Sequence, residues 1–158
     1  MSETITVGLA EGKTVKNKEV LVTYALGSCV GICLYDQRTM VAGMAHIMLP
    51  CKAKALSASN DFKFADAGLL KLLEQMLKCG AIRSHITAKI FGGAEMFRVE
   101  GGGMRIGERN VNAVKDALKE QMIPLIAEDT GKNYGRSIWF DSQTGIVRIK
   151  SIKKEIYK

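Results

Sequence analysis

Proline is nearly absent from this sequence of 158 residues: it occurs only at Pro50 and Pro124, which leaves no room for a proline-rich linker. Long apolar runs are absent too. None approaches the roughly 20 residues that a helix needs to span a bilayer, so no membrane insertion is expected. The first residues, Met1-Ser2-Glu3-Thr4, carry no basic segment followed by an apolar stretch, so no secretory signal is expected and the cytoplasm is the expected compartment. Aromatic residues make up 6% of the chain and do not interleave with basic ones as a nucleic-acid stacking platform requires. Histidine occurs at two positions, His46 and His85, which narrows imidazole chemistry to those two.

What is present is ordinary globular material, 47% hydrophobic and 25% charged. A chain of this length buries roughly 68–70% of its unfolded surface, and no repeat or compositional break divides it. One domain over residues 1–158 is expected. The net charge of +7 is spread along the chain, with a modest cluster at Lys150, Lys153, Lys154 and Lys158. It reads as a solvated basic surface, or as one that steers an acidic protein partner. Four cysteines stand at 29, 33, 51 and 79. Reduced thiols are expected in the cytosol. On a strand Cys29 and Cys33 would lie roughly 13 Å apart, beyond the about 7 Å between Cα atoms that a disulfide tolerates. A zinc site of Cys29, Cys33 and His46 lacks the paired spacing and four ligands of structural zinc.

Strand signals fill the first half. Ile5 to Leu9 reads as a strand ending near Gly12, and Glu19 to Leu26 as one that stops at Gly27-Ser28. Val30 to Tyr35 and Met40 to Leu49 are apolar runs of strand length, and the three successive strands suggest a meander. Periodicity predicts a helix over Asp66 to Lys78 with the stripe Leu69, Leu72, Leu73, Met76 and Leu77, and a second over Asn110 to Gln121 with Asn110 as its N-cap. Ala88 to Phe91, Pro124 to Ala127, Ser137 to Phe140 and Gly145 to Ile149 complete the strands. The pattern predicts a layered α+β domain, its helices too far apart for regular βαβ alternation.

A cysteine nucleophile needs access, an imidazole and backbone N–H groups that can hold an oxyanion. Cys29 follows Leu26-Gly27-Ser28, where a strand breaks, so Gly27 and Ser28 are the candidate oxyanion or substrate-binding residues. Cys33 lies inside an apolar run. His46 sits in the strand after that of Cys29 and shares its alternation with Met44 and Met48, so its polar ring needs a partner. His85, flanked by Arg83 and Ser84, reads as a solvated loop residue. Thr23 lies six residues before Cys29; even spacing puts both on one strand face, and its hydroxyl could orient His46. The glycine segment Gly101-Gly102-Gly103 lacks the phosphate-loop pattern, and Asp129-Thr130-Gly131-Lys132 does not follow one. Nucleotide binding is unsupported.

These segments together resemble a known family. Leu26-Gly27-Ser28-Cys29-Val30, Cys33-Leu34-Tyr35-Asp36, Gly43 to Pro50, Lys63-Phe64-Ala65-Asp66, Ile90 to Phe97, Ile106 to Asn110, Asp129-Thr130-Gly131, Gly135-Arg136 and Phe140-Asp141 match, in order and spacing, the bacterial chemotaxis family CheD. The resemblance implies a deamidase that converts glutamines of methyl-accepting chemotaxis receptors to glutamates and releases ammonia. It implies a Cys-His-Thr triad at Cys29, His46 and Thr23, and no metal or organic cofactor. It also implies an α/β/β/α layered fold similar to the cytotoxic necrotizing factor toxins, location at chemoreceptor arrays, and the phosphatase CheC as partner. Lys132 departs from the glycine that many members carry there. Two alternatives stay open: hydrolysis of receptor glutamyl methyl esters by the same thiol, and a non-catalytic regulator that binds CheC. The surface that grips a receptor is not marked, the Gly101 loop and residues 129–136 being candidates.

Overall fold

The computed structural model describes residues 3–52, 60–96, 105–151 and 155–158. In chain order the elements are β1 (Thr4–Thr6), β2 (Gly12–Lys16), β3 (Val20–Leu26), β4 (Val30–Asp36), β5 (Val41–Ile47), α1 (Ala65–Lys78), β6 (Ile86–Gly92), α2 (Ile106–Glu120), β7 (Leu125–Thr130), β8 (Arg136–Asp141), β9 (Val147–Lys150) and β10 (Glu155–Tyr157). The strands form two five-stranded sheets, one ordered β1-β3-β8-β9-β10 and the other β2-β5-β4-β6-β7.

Two apolar layers hold these sheets. Leu21, Leu26, Cys33, Met44, Phe91, Ile138 and Phe140 fill the space between them. Val30, Ile32, Leu34, Ala45 and Ile47 face the other way, onto Leu69, Leu72 and Met76 of α1 and Val114 and Leu118 of α2. The central strands β4 and β5 are therefore covered on both faces, and every one of their residues is buried. That is why they read as unbroken apolar runs instead of alternating ones. Helix α1 lies close on β5: a Cβ at Gly43 would stand 2.9 Å from both Leu72 Cδ1 and Met76 Sδ. The expected layered α+β architecture is the one that forms. Its described helices lie on one side, and the outer face of the first sheet presents the Tyr24–Trp139 edge contact and Arg148 stacked 4.0 Å from the Trp139 ring.

Several expectations need correction. β3, β4 and β5 are not one meander: β4 and β5 form a hairpin, whereas β3 belongs to the opposite sheet. The chain changes sheet through Gly27-Ser28-Cys29, so Thr23 and Cys29 do not share a strand face. Parity fails because the β3–β8 register shifts between Thr23 and Leu26, where Ala25 takes a left-handed φ of 56°. Helix α2 starts at Ile106, not at Asn110, which is buried inside it. The connection β6–α2–β7 is a helical crossover, with β6 and β7 paired in parallel. Gly12 to Lys16 is a strand of its own, antiparallel to β5. His85 is not a free loop residue, since its ring stands 3.7 Å from the buried Asp36 carboxylate. Phe97, the Gly101 loop, Lys153 and Lys154 lie outside the described residues.

Candidate active site

Strand β3 carries Thr23 and strand β5 carries His46 into the layer between the sheets. The His46 orientation follows from register: Gly31 is its cross-strand partner, and a Cβ there would point at Ile138 and Leu26 across the gap. The His46 backbone is pinned on its other side, its N–H donating to Glu11 O (3.0 Å) and its carbonyl accepting from Ala10 N–H (2.9 Å). Both side chains are almost fully enclosed, Thr23 at 0% and His46 at 3% exposure.

One proton count fixes the tautomer. Thr23 Oγ1 lies 2.7 Å from the Val7 carbonyl and 2.7 Å from His46 Nδ1. A hydroxyl has a single proton, and a carbonyl can only accept. The Thr23 hydroxyl therefore donates to Val7 O and accepts from His46 Nδ1–H. The lone pair of the ring is left on Nε2, which is buried and has no hydrogen-bond partner among the described residues. An unprotonated Nε2 is a base waiting for a proton. Desolvation reinforces that state by holding the His46 pKa down to about 4.

Cys29 is half-buried, a free thiol at the turn before β4, packed against the layer that receives Thr23 and His46. It stands two residues before Gly31, the residue opposite His46. Burial pushes its pKa up, opposed by its own backbone N–H. The thiol and the imidazole are thus each neutral, and no hydrogen bond joins them among the described residues. The turn itself is held by all three of its carbonyls: Gly27 O accepts from Ala94 N–H (2.8 Å), Cys29 O from Gly93 N–H (2.8 Å), and Ser28 O from Asn110 Nδ2 (2.9 Å). Among the described residues the Ser28 N–H has no acceptor and the Cys29 N–H reaches only its own sulfur. Gly27 and Ser28, the expected oxyanion positions, are therefore in this clamped turn, and its Ser28 and Cys29 N–H groups could receive an oxyanion.

Comparison with known proteins gives this geometry a context. The model of the CheD family, described as chemotactic sensory transduction, matches residues 48–151. A Caldanaerobacter subterraneus subsp. tengcongensis protein named "Probable chemoreceptor glutamine deamidase CheD" is 49% identical over 96% of this chain and 94% of its own. A Syntrophomonas wolfei protein of the same name is 48% identical over 96% of both chains. This chain belongs to the CheD family. The crystal structure of a Neisseria meningitidis protein described with the family DUF152 has a TM-score of 0.54 at 9% identity, covering 82% of this chain and 64% of that one. That likeness shows the fold alone.

Some of what surrounds the CheD-family candidates was beyond sequence reading. The Val7 carbonyl, which sets the tautomer, is a main-chain group in a loop and leaves no mark in side-chain types. Asn110 did carry a signal, as a polar residue inside an apolar helical stripe, but an N-cap explained it as well. The segment 129–136, a candidate receptor surface, is internally tied: the Arg136 side chain is wholly buried, bonded to Asp129 Oδ1 (3.2 Å) and Gly131 O (3.0 Å) and stacked on Tyr134. Lys132 takes a φ of +64° beside Gly131 at +79°, which explains why glycine suits this position.

Proposed function

We propose that this chain is a cysteine amidohydrolase that converts glutamines of chemotaxis receptors to glutamates, with Cys29 as nucleophile, His46 as base and Thr23 as the residue positioning His46. The observation that carries it is the tautomer: the single Thr23 proton goes to Val7 O, and His46 Nε2 is left as a buried acceptor. As a glutamine side chain docks, His46 Nε2 takes the Cys29 proton and the sulfur attacks the amide carbon. The Ser28 and Cys29 N–H groups receive the developing oxyanion. His46 then returns the proton to the amide nitrogen, because an amide anion is a poor leaving group, and ammonia departs from a thioester. Water gives a proton to His46 and attacks the thioester carbon. The sulfur leaves, recovers that proton, and glutamate is released.

CheD membership supports finer points of the same reading. These are a single catalytic domain over residues 1–158, CheC as a regulatory partner, and work in the cytoplasm at receptor arrays. Mass spectrometry of a receptor cytoplasmic fragment tests the reaction. Replacement of amide NH2 by OH at glutamines, lost in Cys29→Ala, is expected. Loss of a methyl group instead would establish the esterase. No change with the wild-type chain, together with equal CheC binding by Cys29→Ala, would establish the regulator.

A further inference from the structure

We infer that Asn110 is a positioning residue for the nucleophile, tying the turn that presents Cys29 to the strand that presents His46. The inference rests on Cys29 and His46 being the reacting pair. Asn110 is completely buried in the second turn of α2, on the helix side of the sheet. Its amide nitrogen has two protons, and both are used: Nδ2 donates to Ser28 O (2.9 Å) and to Met48 O (2.9 Å). Ser28 immediately precedes Cys29, and Met48 follows His46 by two residues. One planar amide thus spans the two main-chain segments whose separation sets the sulfur-to-imidazole geometry.

Asn110 is a costly choice for holding the helix down. Asparagine is a poor helix former, and its Oδ1 is buried without a hydrogen-bond partner among the described residues. An apolar residue would suit the helix better, but it would leave the Ser28 and Met48 carbonyls without this donor. What only the NH2 group supplies is the pair of bonds to Ser28 and Met48. The neighbouring glycines serve the same approach. A Cβ at Gly107 would stand 2.5 Å from Ala94 O and 2.6 Å from Gly93 O, and one at Gly93 would stand 2.2 Å from Val111 Cγ2. Their bare backbones let the first turn of α2 sit directly on the Gly93-Ala94 segment that clamps Gly27 and Cys29. Asn110 then reaches the remaining carbonyl of the turn, Ser28, from the same helix.

The test compares Asn110→Leu and Asn110→Ser with Val114→Ala, a core truncation elsewhere on the buried face of α2. Each is assayed on a receptor fragment well below its own unfolding temperature. In parallel, iodoacetamide modification of Cys29 is followed by peptide mapping across pH. Both Asn110 variants are expected to lose about 10- to 100-fold in kcat, with KM within a few-fold, as for a displaced reacting group. They should also show an altered pH dependence of Cys29 alkylation. Val114→Ala should lose thermal stability and keep kcat and the alkylation profile. Wild-type kcat in the Asn110 variants, or an equal loss of kcat in Val114→Ala at matched stability, overturns the inference. Failure of both Asn110 variants to fold overturns it too, since the amide would then serve folding. Full deamidation by Cys29→Ala would instead overturn the underlying assignment of the nucleophile, and the alkylation profile needs no substrate.

Discussion

Burying a neutral histidine makes the protein sensitive to mild acid, and the size of that effect follows from His46. Unfolded histidine titrates near 6.5, whereas desolvation holds His46 in the folded chain down to about 4. Between those values the unfolded chain binds a proton that the folded chain refuses, so stability rises with pH across this window. It is complete above about 6.5 and falls as pH drops, levelling off below about 4. The whole span is worth about 3 kcal/mol, and lowering the pH from 7 to 5 removes about 2 kcal/mol of it. For a chain of this length that is a fall in Tm of about 4–8 °C. The carboxylates held low, among them Asp36 by the Ile82, Arg38 and Thr39 N–H groups and Glu128 by Thr130 and Lys115, lose their contribution only below their unfolded values, near pH 4. His85 is common to wild type and a His46 variant, so the difference between the two proteins from pH 7 to 5 isolates the His46 imidazole. Urea unfolding of wild type and His46→Gln at pH 7, 6 and 5 measures it. Wild type should lose more stability through this range than His46→Gln does. An equal slope in both proteins would refute the desolvated imidazole. In the same picture the acid limb of kcat/KM lies near pH 4, and Cys29 alkylation keeps rising beyond the ordinary thiol range. A midpoint for alkylation below pH 7 would mean a resting thiolate–imidazolium pair instead.

Thr23→Val keeps the shape of the side chain but leaves Val7 O and His46 Nδ1 without their shared partner. Stability should fall by about 1–3 kcal/mol and kcat by about 10- to 100-fold, with the pH profile altered. Thr23→Ser should restore most of both, and a Thr23→Val enzyme with wild-type kcat would remove Thr23 from the mechanism. Gly107→Ala drives a methyl into the Gly93 and Ala94 carbonyls, which are backbone and cannot swing away. A loss of about 1–3 kcal/mol in chemical denaturation is expected, with slower Cys29 turnover, and a neutral outcome would show that α2 can retreat without disturbing the turn. Lys132→Gly relieves a left-handed φ of +64° and should stabilise by up to about 1 kcal/mol, read as a Tm gain of about 2–4 °C.

The parts of this fold that were legible in sequence are those whose pattern is dictated locally. Leu69, Leu72, Leu73 and Met76 of the α1 stripe lie on the core as their spacing predicts, because a helix repeats every few residues and one face must be buried; Leu77, expected with them, is exposed near the helix end, and Gly80 follows at φ +99°. β4 and β5 were legible as strands for a similar reason. What pattern alone could not assign was the sheet to which each strand belongs. A strand covered on two faces reads the same whether its predecessor pairs with it or crosses the sandwich. Even spacing therefore linked Thr23 to Cys29 along one strand, whereas the structure links Thr23 to His46 across the gap between sheets, at 2.7 Å. The difference has a chemical consequence. Had Thr23 shared a strand face with Cys29, six residues of extended chain would have held its hydroxyl roughly 20 Å from the sulfur and from the imidazole beside it. On the opposite sheet it faces Nδ1, and Val7 O takes the hydroxyl proton, so the threonine can act on the thiol only through the imidazole. The spacing of the sequence contains the same residues as the site, but the order in which protons can pass among them is a property of the crossover at Gly27-Ser28-Cys29.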